Sequence, residues 1–149
     1  MDETMVLRMK RLRPQAQLPQ RQTAGSAGYD LCACVQEPVV LEPGDSFAFP
    51  TGLAAEIPAG CVGLVFTRSS MGVKHGITLP NSVGVIDSDY RGELVVPLQN
   101  YGKEPYAVQP GERVAQLVVL PVCLLPVVEA EELSATGRGA GGFGSTGKS

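Results

Sequence analysis

Eighteen glycines and twelve prolines, 30 of 149 residues, cut this chain into runs too short for ordinary helices. Between them lie stretches rich in Val, Leu and Phe, at residues 28–35, 38–41, 46–49, 51–57, 61–67, 77–79, 84–86, 92–99, 105–108, 113–120 and 122–128. Short apolar runs bounded by turn formers read as strands. Pro43-Gly44, Pro58-Ala-Gly60 and Pro110-Gly111 supply turns between them. A helical period is confined to one turn near residues 69–74. The pattern predicts an all-β sandwich or jelly roll. Leu94–Leu98 and the stretch from Val114 to Val128 are apolar on both faces. A second apolar face on a one-domain β protein predicts a subunit interface.

The length suits one domain that buries roughly 70% of its unfolded surface. The expected division is a β domain over residues 1–135 and a flexible glycine-rich arm over 136–149. A net charge of −3 argues against a broad nucleic-acid-binding face but leaves room for a small phosphate ligand, which needs only a few focused cations. No run approaches the ~18 apolar residues of a membrane span, and the N-terminus has no apolar signal stretch, so the expectation is an intracellular protein without a membrane partner. Cys32, Cys34, Cys61 and Cys123 each lie in apolar or small-residue runs, as buried thiols do. With His75 the single histidine, a zinc site by Cys or His is not expected.

The arm, Arg138-Gly-Ala-Gly-Gly-Phe-Gly-Ser-Thr-Gly-Lys-Ser149, offers an arginine, one aromatic ring, hydroxyls and unhindered amides on a backbone with no means of packing. It makes sense if it orders over a ligand with a flat face and anionic oxygens, which describes a nucleotide. Residues 142–149 also fit the P-loop pattern letter for letter. That mechanism needs a helix after the loop, and none is expected here.

Four further segments carry polar chemistry. Asn81-Ser-Val-Gly84-Val-Ile-Asp87-Ser-Asp89-Tyr90-Arg91-Gly92-Glu93 runs from two apolar residues, Val85 and Ile86, into an acidic turn and is expected to form a hairpin whose backbone could read the edge of a base. Thr67-Arg68-Ser69-Ser70-Met71-Gly72 places an arginine and two hydroxyls at a turn start, a reasonable phosphate cradle. Gly111-Glu-Arg113-Val-Ala-Gln116-Leu sets a polar Gln116 inside an apolar strand, where it needs a hydrogen-bond partner. Ala24-Gly-Ser-Ala-Gly28-Tyr29-Asp30-Leu31 puts an acid at the head of a strand behind small residues.

In order and spacing, these five segments resemble the five motifs of the homotrimeric dUTP pyrophosphatases, the dUTPases, from about residue 22 to 149. The resemblance implies a β jelly roll, three subunits with shared active sites, and an arm of one chain closing over the site of others. It implies hydrolysis of dUTP to dUMP and pyrophosphate, which limits uracil incorporation into DNA and supplies dUMP for thymidylate synthesis. Asp87 matches the general base, and Asp30 the carboxylate that holds Mg²⁺ through water. Arg68, Ser69, Ser70 and Gln116 match the phosphate-binding residues. Asn81, Gly84, Val85 and Ile86 match the uracil-reading segment, and Tyr90 the residue beneath the deoxyribose. In the arm, Phe143 matches the ring that stacks on uracil, while Arg138, Gly144, Ser145 and Thr146 match the grip on the phosphates. Thr67 stands where a proline is usual, and Ser70 where glycine is common. The dCTP deaminases are similar in fold, but Asp87, Tyr90 and Phe143 stand in the dUTPase arrangement.

Overall fold

A computed structural model describes residues 5–144 and Gly147. Ten strands and one short helix occur among them: β1 (Arg8–Arg11), β2 (Tyr29–Cys32), β3 (Val39–Leu41), β4 (Ser46–Glu56), β5 (Cys61–Thr67), α1 (Ser69–His75), β6 (Ile77–Thr78), β7 (Gly84–Ile86), β8 (Glu93–Asn100), β9 (Tyr106–Val108) and β10 (Arg113–Pro121). They form two four-stranded sheets, ordered β1-β4-β8-β6 and β2-β10-β5-β7, and a two-stranded sheet of β3 and β9. Every pairing is antiparallel. The all-β, jelly-roll-like expectation holds.

The core lies between the sheets. In β8, Leu94, Val96 and Leu98 point inward and are buried, while Val95 between them is exposed. Phe49, Leu53, Leu31, Leu117 and Ile77 complete the same core. Buried polar groups are paired. Asn100 donates to the carbonyls of Leu41 (2.9 Å) and Glu104 (2.8 Å) and accepts from the N–H of Gly102 (2.8 Å), tying the end of β8 to the β3–β9 flap.

Several boundaries differ from expectation. The runs 46–49 and 51–57 are one strand, β4, continuous through Pro50. The ladder to β8 shifts register between Pro50 and Ala54, and Gly52 takes a left-handed φ of 69°. A bulge absorbs both the missing proline N–H and the two extra residues on β4, which advances four residues from Pro50 to Ala54 while β8 advances two. Thr51 mends it, its hydroxyl donating to the Leu94 carbonyl at 2.6 Å and accepting from the Leu53 N–H at 3.2 Å. The polar strand β1 was not expected; it adds to the β4 edge from Arg8↔Glu56 to Arg11↔Leu53. Residues 122–128, expected as a strand, have no ladder, because β10 ends at Pro121 and no neighbouring strand extends beside them. Leu124, Leu125, Val127 and Val128 are exposed, and so is Cys123, against the expectation of four buried thiols. No helix among the described residues is long and apolar enough to cross a membrane.

The bulge also anchors the N-terminal segment. Arg13 forks onto Glu93 with nitrogen–oxygen distances of 2.9 and 2.7 Å, and Glu93 accepts the Gly52 N–H at 3.2 Å. A Cβ on Gly52 would lie 2.8 Å from the Ala16 Cβ and 3.0 Å from the Cys34 sulfur. Gly52→Ala is therefore expected to cost about 2–4 kcal/mol in chemical denaturation, from the left-handed backbone plus overpacking. A loss below about 0.5 kcal/mol, the range of an ordinary surface change, would contradict this packing. The Arg13 hydrogen bond holds the Glu93 carboxyl below its ordinary range. Its folded-state pKa is thus below its unfolded one, so the stabilisation is present above the unfolded value near 4.3 and is lost as pH falls through the folded value. Arg13→Ala should lower stability at neutral pH and flatten the acid limb of the stability curve measured by denaturation against pH.

Candidate active site

Three strands of one sheet bring polar groups into a row. Asp30 on β2 sits opposite Gln116 on β10, which sits opposite Phe66 on β5. Arg68 follows β5 and turns back over the row. Its Nε lies 3.4 Å from Asp30 Oδ1, and its Nη1 donates to the Arg113 carbonyl at 3.2 Å. Arg113 Nη1 lies 3.4 Å from Asp30 Oδ2, and Gln22 Nε2 donates to the same oxygen at 2.8 Å. Gln116 Nε2 donates to the Thr67 carbonyl at 3.4 Å. Three of the sequence-predicted segments therefore converge on one carboxylate whose side chain is 15% exposed, beside a larger surplus of positive charge.

Local structure explains the convergence. The chain leaves β5 at Thr67, whose hydroxyl accepts the Leu79 N–H at 3.1 Å and so closes the loop that contains α1. Arg68 occupies the cap position of that helix in extended conformation without making a side-chain cap. Among the described residues neither the Ser69 nor the Ser70 hydroxyl has a protein partner, so both are available to a ligand. Gly76 ends the helix in the left-handed region, and Met71 buries its inner side. Gly28 matters for contact: a Cβ there would overlap Gln116 Oε1 and stand 3.3 Å from the Gln116 Cβ. Beneath the row, burial pushes the Cys32 thiol up, and the Asp30 charge adds to the effect.

The acidic turn lies elsewhere. β7 pairs with β5 through Gly84↔Val65, Val85↔Leu64 and Ile86↔Gly63. The expected hairpin is corrected here: β8, which follows the turn, belongs to the other sheet, so β7 and β8 are not ladder partners. The segment bridges the two sheets, and β7 is an edge strand with one side of its backbone unpaired among the described residues. The turn itself is firm. The Tyr90 N–H donates to the Asp87 carbonyl at 3.1 Å, Tyr90 Oη to the Glu93 carbonyl at 2.9 Å, and Arg91 Nη1 to the Ser88 carbonyl at 2.7 Å. The Tyr90 ring lies against Gly92, where a Cβ would stand 2.6 Å from the ring Cζ. Asn81 bends the chain into β7, its carbonyl accepting from Val83 at 2.7 Å, and Asp87 is exposed at the end of the strand.

Asp87 and Arg68 lie at opposite ends of β5. Asp87 follows the residue opposite Gly63, whereas Arg68 follows Thr67. Six residue steps along a strand separate them by about 20 Å. The arm does not bridge that gap. Beyond Val122, which donates to the Gly60 carbonyl at 2.9 Å, the hydrogen bonds of the described residues stay within the arm, as in Arg138 Nε to the Gly141 carbonyl at 2.6 Å. Phe143 is fully exposed next to Gly144. Ser145 and Thr146 lie outside the described residues. The residues that sequence reasoning missed are Gln22 and the side chain of Arg113. Only their ladder and loop positions, not a spacing rule, bring them to Asp30.

Comparison with known proteins gives a consistent picture. A family model described as dUTPase matches residues 14–147. The deoxyuridine 5'-triphosphate nucleotidohydrolase of Alcanivorax borkumensis is 50% identical over 139 residues, 93% of each chain. Among solved structures, the dUTPase of Staphylococcus bacteriophage 80alpha with dUpNHpp is similar with a TM-score of 0.89 and 31% identity, covering 97% of this chain and 100% of the other. A mutant dUTPase from phage phi11 of S. aureus, described with a structural Mg(II) ion, has a TM-score of 0.79 and 27% identity, covering 86% of this chain and 98% of its own. From the packing of Gly28, Gly28→Ala is expected to displace the Gln116 carboxamide from Thr67 while leaving the β2–β10 ladder intact. The Gln116 side-chain amide resonances report this, and unmoved resonances would show that the methyl group is accommodated.

Proposed function

This chain belongs to the dUTPase family, and on that premise we propose that it hydrolyses dUTP to dUMP and pyrophosphate. The observation that carries the reading is the cluster in which Asp30, Arg68 and Gln116 meet next to Ser69 and Ser70, whose hydroxyls make no hydrogen bond among the described residues. Arg68 and the Ser69 and Ser70 hydroxyls grip the triphosphate, with Gln116 beside them, and fix its geometry. Asp87 orients a water and takes its proton as the water oxygen attacks the α-phosphorus. The bond from that phosphorus to the bridging oxygen breaks in line, and pyrophosphate leaves. The unpaired edge of β7 at Gly84–Ile86, with Asn81, pairs with uracil. Cytosine would leave buried groups unpaired there, which costs about 10⁴-fold in discrimination when a site is built to hydrogen-bond its substrate. Tyr90, locked against Gly92, sits beneath the deoxyribose and leaves no room for a 2′-hydroxyl.

The donor set around Asp30 fits Mg²⁺ only in one manner. No group of three or more His, Cys, Asp or Glu able to hold a metal occurs among the described residues. One carboxylate beside a phosphate cradle suits a hydrated ion whose remaining ligands belong to the substrate, with Asp30 reaching it through water. When bound, the ion supplies neutralisation of phosphate charge.

The 20 Å scale of the separation between Asp87 and Arg68 supports a site assembled from different copies of the chain. Asp87 then comes from one copy and the phosphate cluster from another. A closed head-to-tail ring satisfies this repeatedly, and three copies give the homotrimer expected of the family. Residues 136–149 act as an arm that closes each site, with Phe143 stacking on uracil and Arg138, Gly144, Ser145 and Thr146 on the phosphates. This accounts for an arm whose described hydrogen bonds are internal. Val95 and residues 122–128, exposed on the single chain, are the apolar surfaces available for the contacts between copies.

Purified protein with Mg²⁺ is expected to yield dUMP and pyrophosphate from dUTP and not from dCTP, dTTP or UTP; ammonia from dCTP would place the chemistry with deaminases instead. Asp87→Asn should lower kcat at least 10²-fold, as general-base loss does, while dUpNHpp still binds. Asp87→Asn and Arg68→Ala chains, each inactive alone, should regain part of the activity when assembled together. Failure of the mixture to recover any activity would overturn the shared site.

A further inference from the structure

The carboxylate of Asp30 is held asymmetrically. Its Oδ1 lies 3.4 Å from Arg68 Nε and, among the described residues, accepts no hydrogen bond. Its Oδ2 takes the Gln22 carboxamide at 2.8 Å and the Arg113 guanidinium at 3.4 Å. Gln22 comes from the loop ahead of β2, and that loop is stitched to the strand where the Asp30 N–H donates to the Gln20 carbonyl at 3.2 Å. Arg113 stands opposite Cys32 at the register shift that opens the β2–β10 ladder. Its carbonyl also accepts from Arg68 at 3.2 Å, so Arg113 touches both members of the Asp30–Arg68 pair.

These contacts divide the work between the two oxygens. A terminal carboxylate torsion is broad and roughly two-fold, so an aspartate held at one oxygen keeps a range of orientations. Two donors on Oδ2 remove that range. Arg68 is the contact able to leave, because a triphosphate offers its guanidinium better acceptors than one carboxylate oxygen at 3.4 Å. Once it turns to phosphate, Oδ1 is freed while Oδ2 stays fixed.

We propose that Gln22 and Arg113 are positioning residues for this reaction: they pin Asp30 Oδ2 so that Oδ1 is presented, already oriented, to the water shell of a nucleotide-bound divalent cation when Arg68 transfers to phosphate. The inference rests on the reading of Asp30 given under the proposed function. Gln22 is the sharper of the two, since it is neutral and exposed, so its removal alters orientation without altering charge.

The test is equilibrium binding of dUpNHpp to the full chain by calorimetry, with Mg²⁺ and with EDTA. The readout is the factor by which Mg²⁺ tightens binding. Gln22→Ala is expected to shrink that factor about 3- to 10-fold, the net worth of one ordinary hydrogen bond, while binding in EDTA stays at the wild-type value. Gln22→Glu, nearly the same size, should shrink it further, because it sets a like charge against Oδ2; a space-filling role predicts wild-type behaviour there. In turnover, Gln22→Ala should raise the Mg²⁺ concentration for half-maximal rate and leave kcat at saturating Mg²⁺ nearly unchanged. Arg113→Ala should shrink the same factor while also weakening binding in EDTA. Asp30→Asn separates the two levels of inference. If it abolishes the Mg²⁺ factor while Gln22→Ala leaves that factor intact, the positioning role is overturned and the reading of Asp30 stands. If Asp30→Asn leaves the factor intact, both fall.

Discussion

The arrangement of the site depends on one strand paired on both sides. β10 is laddered to β5 from Ala115↔Thr67 to Pro121↔Cys61 and to β2 from Arg113↔Cys32 to Leu117↔Tyr29. That double ladder sets Asp30, Gln116 and Phe66 abreast and delivers the chain to Arg68 at the end of β5. Because side chains alternate across a strand, a slip of one residue on either side would carry Asp30 or Gln116 through to the opposite face. The buried residues Val114, Ala115 and Leu117 resist that slip, since it would expose them. Hydrophobic burial in β10 and polar chemistry at the site are therefore one constraint.

Much of this was legible in the sequence, and the failures have physical reasons. Most strands were readable because glycine and proline isolate them and apolar residues fill them. The alternation in β8, buried at Leu94, Val96 and Leu98, is the pattern a sheet with one covered face must show. Strand β1 was invisible because Arg8, Lys10 and Arg11 lie on an edge, where a ladder demands no apolar face. Pro50 looked like a break because a bulge with a left-handed glycine is a tertiary remedy, and Thr51 supplies it only once β8 is alongside. Residues 122–128 have strand composition and no strand beside them, and composition cannot report a missing neighbour.

At the site, residue types and spacing were enough to nominate Asp30, Arg68, Ser69, Ser70 and Gln116, and the fold brings them together. They were not enough to show that Asp87 would stand at the far end of β5, because that follows from which sheet β7 joins. Nor could they identify the partners of Asp30. Gln22 is eight residues away along a loop and Arg113 is 83 residues away in the chain. Thr67 shows the converse. It replaces a residue the family usually has as proline, and its hydroxyl ties the loop to Leu79 instead, so the loop is held by a different means.

The placement of Asp87 and Arg68 at the two ends of a single strand has a bearing on how the protein behaves with dilution. On the proposed sharing of the site between copies, a chain so arranged would carry every residue the chemistry needs and be inert while alone. Below the concentration at which copies associate, its activity per chain would fall steeply rather than stay constant, since each site lost takes partners from separate molecules. Newly synthesised chains would then stay silent until enough copies accumulate, and the onset of activity would report assembly.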